Sequence, residues 1–166
     1  MTNSNDNTRV PESILIAGLG SPHGDDQAGW LVLDELKKLP PVQAELRKLW
    51  SPHELLDHFE GRSVLHLCDA AEINGETGLI HHWQNSQSLL PATTALSTHG
   101  PALGSVLQLL SQLAPEQKMD IHIWTISGQC WETMSEPCEV VRNAAIQVAE
   151  NIVAEIIRQP SLAPVF

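Results

Sequence analysis

The chain has 166 residues, 20 Asp and Glu against 9 Lys and Arg, a formal net charge of −11 and 42% hydrophobic residues. At this length ~70% of the unfolded surface is expected to be buried, enough for one domain with a sizeable core. Its apolar runs are too short to cross a bilayer, and no stripe of lysine or arginine is present to displace counterions from a nucleic-acid backbone. The acidity is what solubility in a cytosol requires. The three scattered cysteines Cys68, Cys130 and Cys138 form no C-x-x-C pair. They fit a reducing, cytoplasmic setting better than a disulfide framework.

Residues 1–12, "MTNSNDNTRVPE", read as a disordered leader with neither the charged nor the hydrophobic part of a secretory signal. "SILIAGL" (13–19) is a continuous apolar run ended by glycine, as in a strand buried on both faces. "DDQAGWLVLDELKKL" (25–39) spaces Trp30, Leu31, Leu33, Leu36 and Leu39 for a helix, with acids first, lysines last and Pro40-Pro41 as its stop. "VQAELRKLW" (42–50) alternates as a strand, and "SPHELLDHFEG" (51–61) carries the start and stop signals of a short helix. A second buried strand, "SVLHLCDA" (63–70), also ends at an aspartate. After it come a strand at 78–84, an amphipathic helix at 100–113, a strong strand at 119–127 and a long helix at 136–158. This alternation predicts a single α/β domain over 13–158. The expected form is a three-layer α/β/α sandwich around a twisted, largely parallel sheet of about five strands, of the phosphorylase/hydrolase-like kind. Residues 159–166, which hold two prolines, read as a loose tail.

Ligand sites of open α/β sheets form beyond the carboxyl ends of the strands. Asp26 follows the first strand, Asp69 ends the strand at 63–70, and His99 sits in "STHGP" just before a helix. If the strands at 13–19 and 63–70 are neighbours, the three converge. Two carboxylates and an imidazole form an incomplete, oxygen-rich shell suited to Zn²⁺, Ni²⁺ or Mn²⁺, with positions left open for another ligand. Strand-end acids also serve as caps, and Asp25 is the candidate for that structural role; it is also a possible auxiliary ligand, since either neighbour can face the metal, with Asp26 preferred. His23 is an auxiliary ligand candidate, or else a solvent-facing loop residue.

Other motifs are weaker. "GLGSPHG" (18–24) is one residue longer than the dinucleotide fingerprint, and the two acids after it would repel a pyrophosphate. In "HELLDH" (53–58) the histidines stand five residues apart, not the four a zincin helix needs. His81 and His82 face opposite sides of a strand, while His66 and His122 read as satisfied core residues. Trp124 and Trp131 read as core. No G-x-S-x-G elbow, P-loop or cysteine with an evident base is present.

Four stretches, "GLGSPHGDDQAG", "LCDAAE", "STHGPAL" and "SGQCWETMSEPCEVV", stand in the order of the motifs of the [NiFe]-hydrogenase maturation endopeptidases, which the chain resembles from about Ile14 to Ile157. The resemblance implies a cytoplasmic peptidase domain, expected to be monomeric. Its partner would be a [NiFe]-hydrogenase large-subunit precursor, from which it removes a C-terminal extension after nickel insertion. It implies that Asp26, Asp69 and His99 contact the nickel carried by that precursor, with Zn or Cd expected to substitute in vitro. Asp26 and Asp69 would be the catalytic acids. Either the metal polarises the scissile carbonyl while one of them takes the water proton, or the metal only positions the tail and a carboxylate activates water. The chain departs from the family at Ser21, where asparagine is usual, and at Gln27, where glycine is usual. It departs again at "MSEPCEV", where Ser135 is expected to cap the long helix. Two alternatives stand beside this reading: a non-catalytic nickel- and precursor-binding chaperone, and a peptidyl-tRNA hydrolase-like enzyme, whose "GLGNP" start resembles "GLGSP" here.

Overall fold

The computed structural model describes residues 13–73, 75–84, 98–113 and 119–158. The leader assigned to 1–12 and the tail assigned to 159–166 lie outside them. Five strands form one sheet: β1 (Ile14–Leu19), β2 (Glu45–Leu49), β3 (Val64–Ala71), β4 (Ile80–Gln84) and β5 (Asp120–Ser127), in the order β2-β1-β3-β5-β4. β2, β1, β3 and β5 are parallel, and β4 closes one edge antiparallel to β5. The continuous apolar runs are the inner strands: every residue of β1 and β3 is buried. The less apolar β2 and β4 are edges, with mixed exposure.

Three α-helices cover the sheet: α1 (Ala28–Leu36), α2 (Gly100–Leu113) and α3 (Glu139–Arg158). One face of the sheet offers Ile14, Ile16, Cys68, Trp124 and Ile126, which pack with Val32 of α1 and with Ala145, Val148 and Ile152 of α3. The other face offers Leu15, Ala17, Leu65, Leu67 and Ile123, which pack with Leu103, Val106 and Leu107 of α2 and with Leu55. The architecture is the expected three-layer sandwich. Among the described residues no helix is long and apolar enough to cross a membrane.

Glycines 18 and 29 bring α1 unusually near β1. A Cβ on Gly18 would run into the Gly29 carbonyl, and a Cβ on Gly29 would run into the Leu19 carbonyl. The glycine-rich turn therefore serves backbone-to-backbone packing of helix on strand.

Helix boundaries differ from the sequence reading in three places. The helix expected over 25–39 is a 3₁₀ turn, Gly24–Gln27, followed by α1, because Gly24 lies at φ +57° and the acids beside it bond elsewhere. It stops at Leu36, where the coming prolines already restrict Leu39. The helix expected over 51–61 is a 3₁₀ segment, Pro52–Asp57, fastened by a capping box between Ser51 and Glu54. The helix expected from 136 begins at Glu139, since Pro137 keeps Glu136 in extended backbone and the Cys138 carbonyl accepts the first helical bond, from Arg142 N–H.

Candidate active site

β1 and β3 are neighbours, paired Gly18 to Cys68, so the turn after β1 and the end of β3 open on the same side of the sheet. Asp69, with its side chain fully buried, receives a hydrogen bond on Oδ1 from its neighbour's Ala70 N–H at 2.8 Å. His99 Nδ1 lies 3.0 Å from the same oxygen. Thr98 ties the pair down: its N–H donates to the Ala70 carbonyl at 3.1 Å and its hydroxyl lies 3.1 Å from His99 Nδ1. Burial alone would lower the proton affinity of His99. The hydrogen bond and charge of Asp69, with the charge of Asp26, outweigh it and raise the imidazole above its ordinary value. Asp26, Asp69 and His99 therefore form one electrostatic cluster.

The adjacent aspartates have separate surroundings. Asp25 is fully buried. Its Oδ2 accepts the N–H groups of Gln129 and Cys130, each at 2.9 Å, and its Oδ1 accepts that of Cys138 at 2.7 Å. Burial pushes this carboxyl up, but the three backbone donors hold it below the usual carboxylate value. The structural role expected of Asp25 is present, with a different target. It caps the loop over 128–138, not the helix that follows it. Asp26 is half-buried and accepts a hydrogen bond from the Ser21 hydroxyl.

The turn is stitched to the same loop at further points. Gly24 N–H donates to the Ser135 carbonyl at 3.1 Å and Asp25 N–H to the Cys130 carbonyl at 2.7 Å. Gln27 Nε2 donates to the Ser135 carbonyl at 3.0 Å. His23 is not turned freely to solvent, because its Nδ1 accepts the Met134 N–H at 3.1 Å. A Cβ on Gly24 would strike the Cys130 carbonyl, so both its φ and its surroundings require glycine. Ser135 does not cap α3. Its hydroxyl donates to the Glu132 carbonyl at 2.8 Å, four residues before the helix begins.

Cysteine is a poor nucleophile candidate at this end of the sheet. Burial pushes the Cys68 thiol far up, and the Cys138 thiol is raised by burial and by its hydrogen bond to Asp25. The contributions that spacing did not disclose are those of Ser21, Thr98 and Gln27, which hold Asp26, His99 and the turn. Their signal is positional: each lies within five residues of one of the singled-out acids or of the histidine.

The remaining histidines fall elsewhere. His53 is exposed and His58 half-buried around the 3₁₀ segment, so the zincin reading fails in the structure too. His81 and His82 do take opposite faces: His81 stacks on Trp83 and His82 on Trp124. His66 and His122 are core residues, 1% and 0% exposed, and His66 Nε2 lacks a hydrogen-bond partner among the described residues.

No protein-family model matches the chain, and no curated protein does. Solved structures match nearly its whole length. A [NiFe] hydrogenase maturation protease, HycI, from Thermococcus kodakarensis KOD1 is 25% identical, with a TM-score of 0.66 over 89% of this chain and 94% of that one. The hydrogenase maturating endopeptidase HybD from E. coli is 19% identical, with a TM-score of 0.73 over 89% and 93%. A [NiFe] hydrogenase maturation protease HybD from Thermococcus kodakarensis is 21% identical, with a TM-score of 0.71 over 86% and 97%. In fold, as in the order of its motifs, the chain is similar to the [NiFe]-hydrogenase maturation proteases.

Proposed function

We propose that the protein is an endopeptidase that removes the C-terminal extension of a [NiFe]-hydrogenase large-subunit precursor once nickel is in place. The observation that carries this reading is the His99–Asp69 pair at the carboxyl end of the sheet, with Asp26 near enough for its charge to act on the imidazole. The three residues come from separate segments, on a fold shared with proteases of that name. The precursor's nickel is part of the substrate, and the three side chains are its contacts on the enzyme. The donor set fits: two carboxylates and an imidazole suit a borderline divalent ion already held by other ligands. To ligate, His99 gives up the proton that Asp69 and Asp26 favour, so engagement of nickel releases a proton.

The two acids divide the work. Asp69 is fixed by Ala70 N–H and His99 and orients the imidazole. Asp26 is the more accessible, held by Ser21, and is the carboxylate that takes the proton of the attacking water. Asp25, saturated by backbone donors, builds the loop and takes no part in the chemistry.

The test is incubation of the purified protein with nickel-loaded and nickel-free large-subunit precursor, followed by intact-mass measurement. Loss of a C-terminal peptide from the loaded form alone is expected. Stable binding without mass loss would replace the peptidase with the chaperone reading, and neither binding nor cleavage would remove both.

A further inference from the structure

Three positions before Asp69↔Thr125, β3 and β5 pair His66 with His122 at the opposite, amino end of the sheet. Both face α3, and on that helix Glu155 approaches them. One potential ligand atom from each of His66, His122 and Glu155 lies within 4.8 Å of the other two. His82, from the edge strand β4, joins from the side. Its Nε2 is 3.0 Å from His122 Nδ1 and 3.9 Å from Glu155 Oε2, while His122 Nδ1 is 3.5 Å from Glu155 Oε1. The sites differ in chain segments, and the nickel contacts proposed above include none of these residues.

We propose that His82 Nε2, His122 Nδ1 and the Glu155 carboxylate form a second divalent-metal site, a structural one, with Zn²⁺ as the fitting ion. Four features support it. The two ring nitrogens lie 3.0 Å apart, and one Glu155 oxygen lies 3.5 Å from His122 Nδ1 and the other 3.9 Å from His82 Nε2, all near the ~3.3 Å ligand-to-ligand edge of a tetrahedron with ~2.0–2.1 Å metal–ligand bonds. Asp120 Oδ2 lies 3.2 Å from His122 Nε2, on the far side of the ring. A carboxylate there favours the proton on Nε2 and leaves the Nδ1 lone pair for a metal, the usual carboxylate–histidine–metal arrangement. The His82 ring is stacked on Trp124 with centroids 3.6 Å apart and planes 4° from parallel, which fixes its orientation. Finally, Glu155 is paired with no lysine or arginine among the described residues, and its Oε2 is buried without a hydrogen-bond partner. A carboxylate buried there with no lysine or arginine beside it calls for a cation.

His66 is a neighbour of the ion and not a ligand. The Trp124 indole N–H donates to its Nδ1 at 3.2 Å, so its proton sits on Nε2. The fourth position falls to water, which reaches it past the partly exposed His82 and Glu155 side chains. An ion held here fastens the weakly buried edge strand β4 and the last turns of α3 to the centre of the sheet.

Metal-free protein carrying Asp69→Ala and His99→Ala isolates this end of the molecule. Titrated with Co²⁺, it is expected to take up one equivalent and to show the intense visible bands of four-coordinate Co²⁺, displaced by Zn²⁺. Adding Glu155→Gln or His82→Ala, both at partly exposed side chains, is expected to weaken binding by at least ~100-fold, beyond what loss of an outer partner costs. A second readout needs no substitution. In the unaltered chain, Zn²⁺ is expected to move the ¹⁵N resonances of His82 Nε2 and His122 Nδ1 as well as those of His99. The proposal is overturned if the Asp69→Ala/His99→Ala protein takes up no ion, if Glu155→Gln and His82→Ala bind as tightly as their parent, or if zinc moves His99 alone. Precursor cleavage enters none of these measurements, so the peptidase reading stands or falls separately.

Discussion

The two ends of the sheet hold histidines with opposite proton affinities, and His66 lies three residues, ~10 Å, along β3 from the Asp69 that holds His99. At the carboxyl end His99 is raised: burial works against the proton, but Asp69 and Asp26 hold it. At the amino end His66 is lowered to about 3 and His82 to about 4, first by burial and then by the charge on His122. The difference is one of stoichiometry. One imidazole among acids keeps its proton, and His66 and His82, buried beside a third imidazole, give theirs up. The first arrangement favours charge arriving with a substrate. The second leaves nitrogen lone pairs available within the fold.

The comparison breaks most completely at Asp69. Asp69→Asn keeps the shape of the side chain and removes its charge. Cleavage of nickel-loaded precursor is expected to fall by ~10³-fold in kcat/KM, within the range of acid–base groups and equivalent to about 4 kcal/mol. The His99 titration, followed by NMR, should drop toward its ordinary value in the same protein. Undiminished cleavage, or an unmoved His99, would show that Asp69 is only a strand-end acid.

Asp25→Ala tests whether the neighbouring acid is structural. Three backbone N–H groups lose their acceptor, and a loss of about 3 kcal/mol is expected in urea unfolding. Nickel-dependent substrate binding should survive in the folded fraction. Unchanged stability with abolished cleavage would exchange the roles of Asp25 and Asp26.

The amino end is tested by acid, in chelator so that no metal intervenes. His66 and His82 have folded values below the unfolded ~6.5. Their contribution to stability is complete above pH 6.5 and is lost as pH falls through 6.5 toward about 4 and about 3. Each costs about 2 kcal/mol at pH 5. His122 and Asp120 from β5 and Glu155 from α3 face these rings, and the carboxylate of Asp120 offsets part of the effect at His82. His99 runs the other way: its contribution is present below pH 6.5 and lost as pH rises through its raised value. Urea midpoints should therefore fall between pH 7.5 and pH 5, and His82→Ala should recover roughly half of the fall. Equal midpoints at the two pH values would refute the assignment.

What the sequence disclosed and what it hid follow the same division. The inner strands are legible because burial on both faces leaves an unbroken apolar run, as in "SILIAGL" and "SVLHLCDA". Asp26, Asp69 and His99 are legible because a parallel sheet puts strand ends together, whatever the exact register. The amino-end cluster depends on register. His66 meets His122 only because β3 pairs with β5 in that frame, and Glu155 arrives from a helix whose rotation sequence does not print. The start of α1 was misread for a related reason. Gly24 and Asp25 are spent on contacts more than a hundred residues apart in the chain, and local propensity carries no record of them.

The smallest expected effect separates Asp26 from Asp25 most directly. Ser21 donates to Asp26 and to neither Asp25 nor Asp69 in the contacts that fix the turn. Ser21→Ala removes that donor while leaving the backbone bonds of Gly24 and Asp25 in place, so folding should be unaffected. A hydrogen bond to a charged group is worth about 1.5 kcal/mol, so precursor cleavage should fall about tenfold. Ser21→Asn supplies an amide N–H at the position where the resembled family usually has asparagine, and should restore most of the rate. Rescue by asparagine after loss with alanine identifies a donor to a working carboxylate. If Ser21→Ala cleaves at the parent rate while Asp26→Asn does not, Asp26 needs no orientation from this turn, and the hydroxyl serves packing alone.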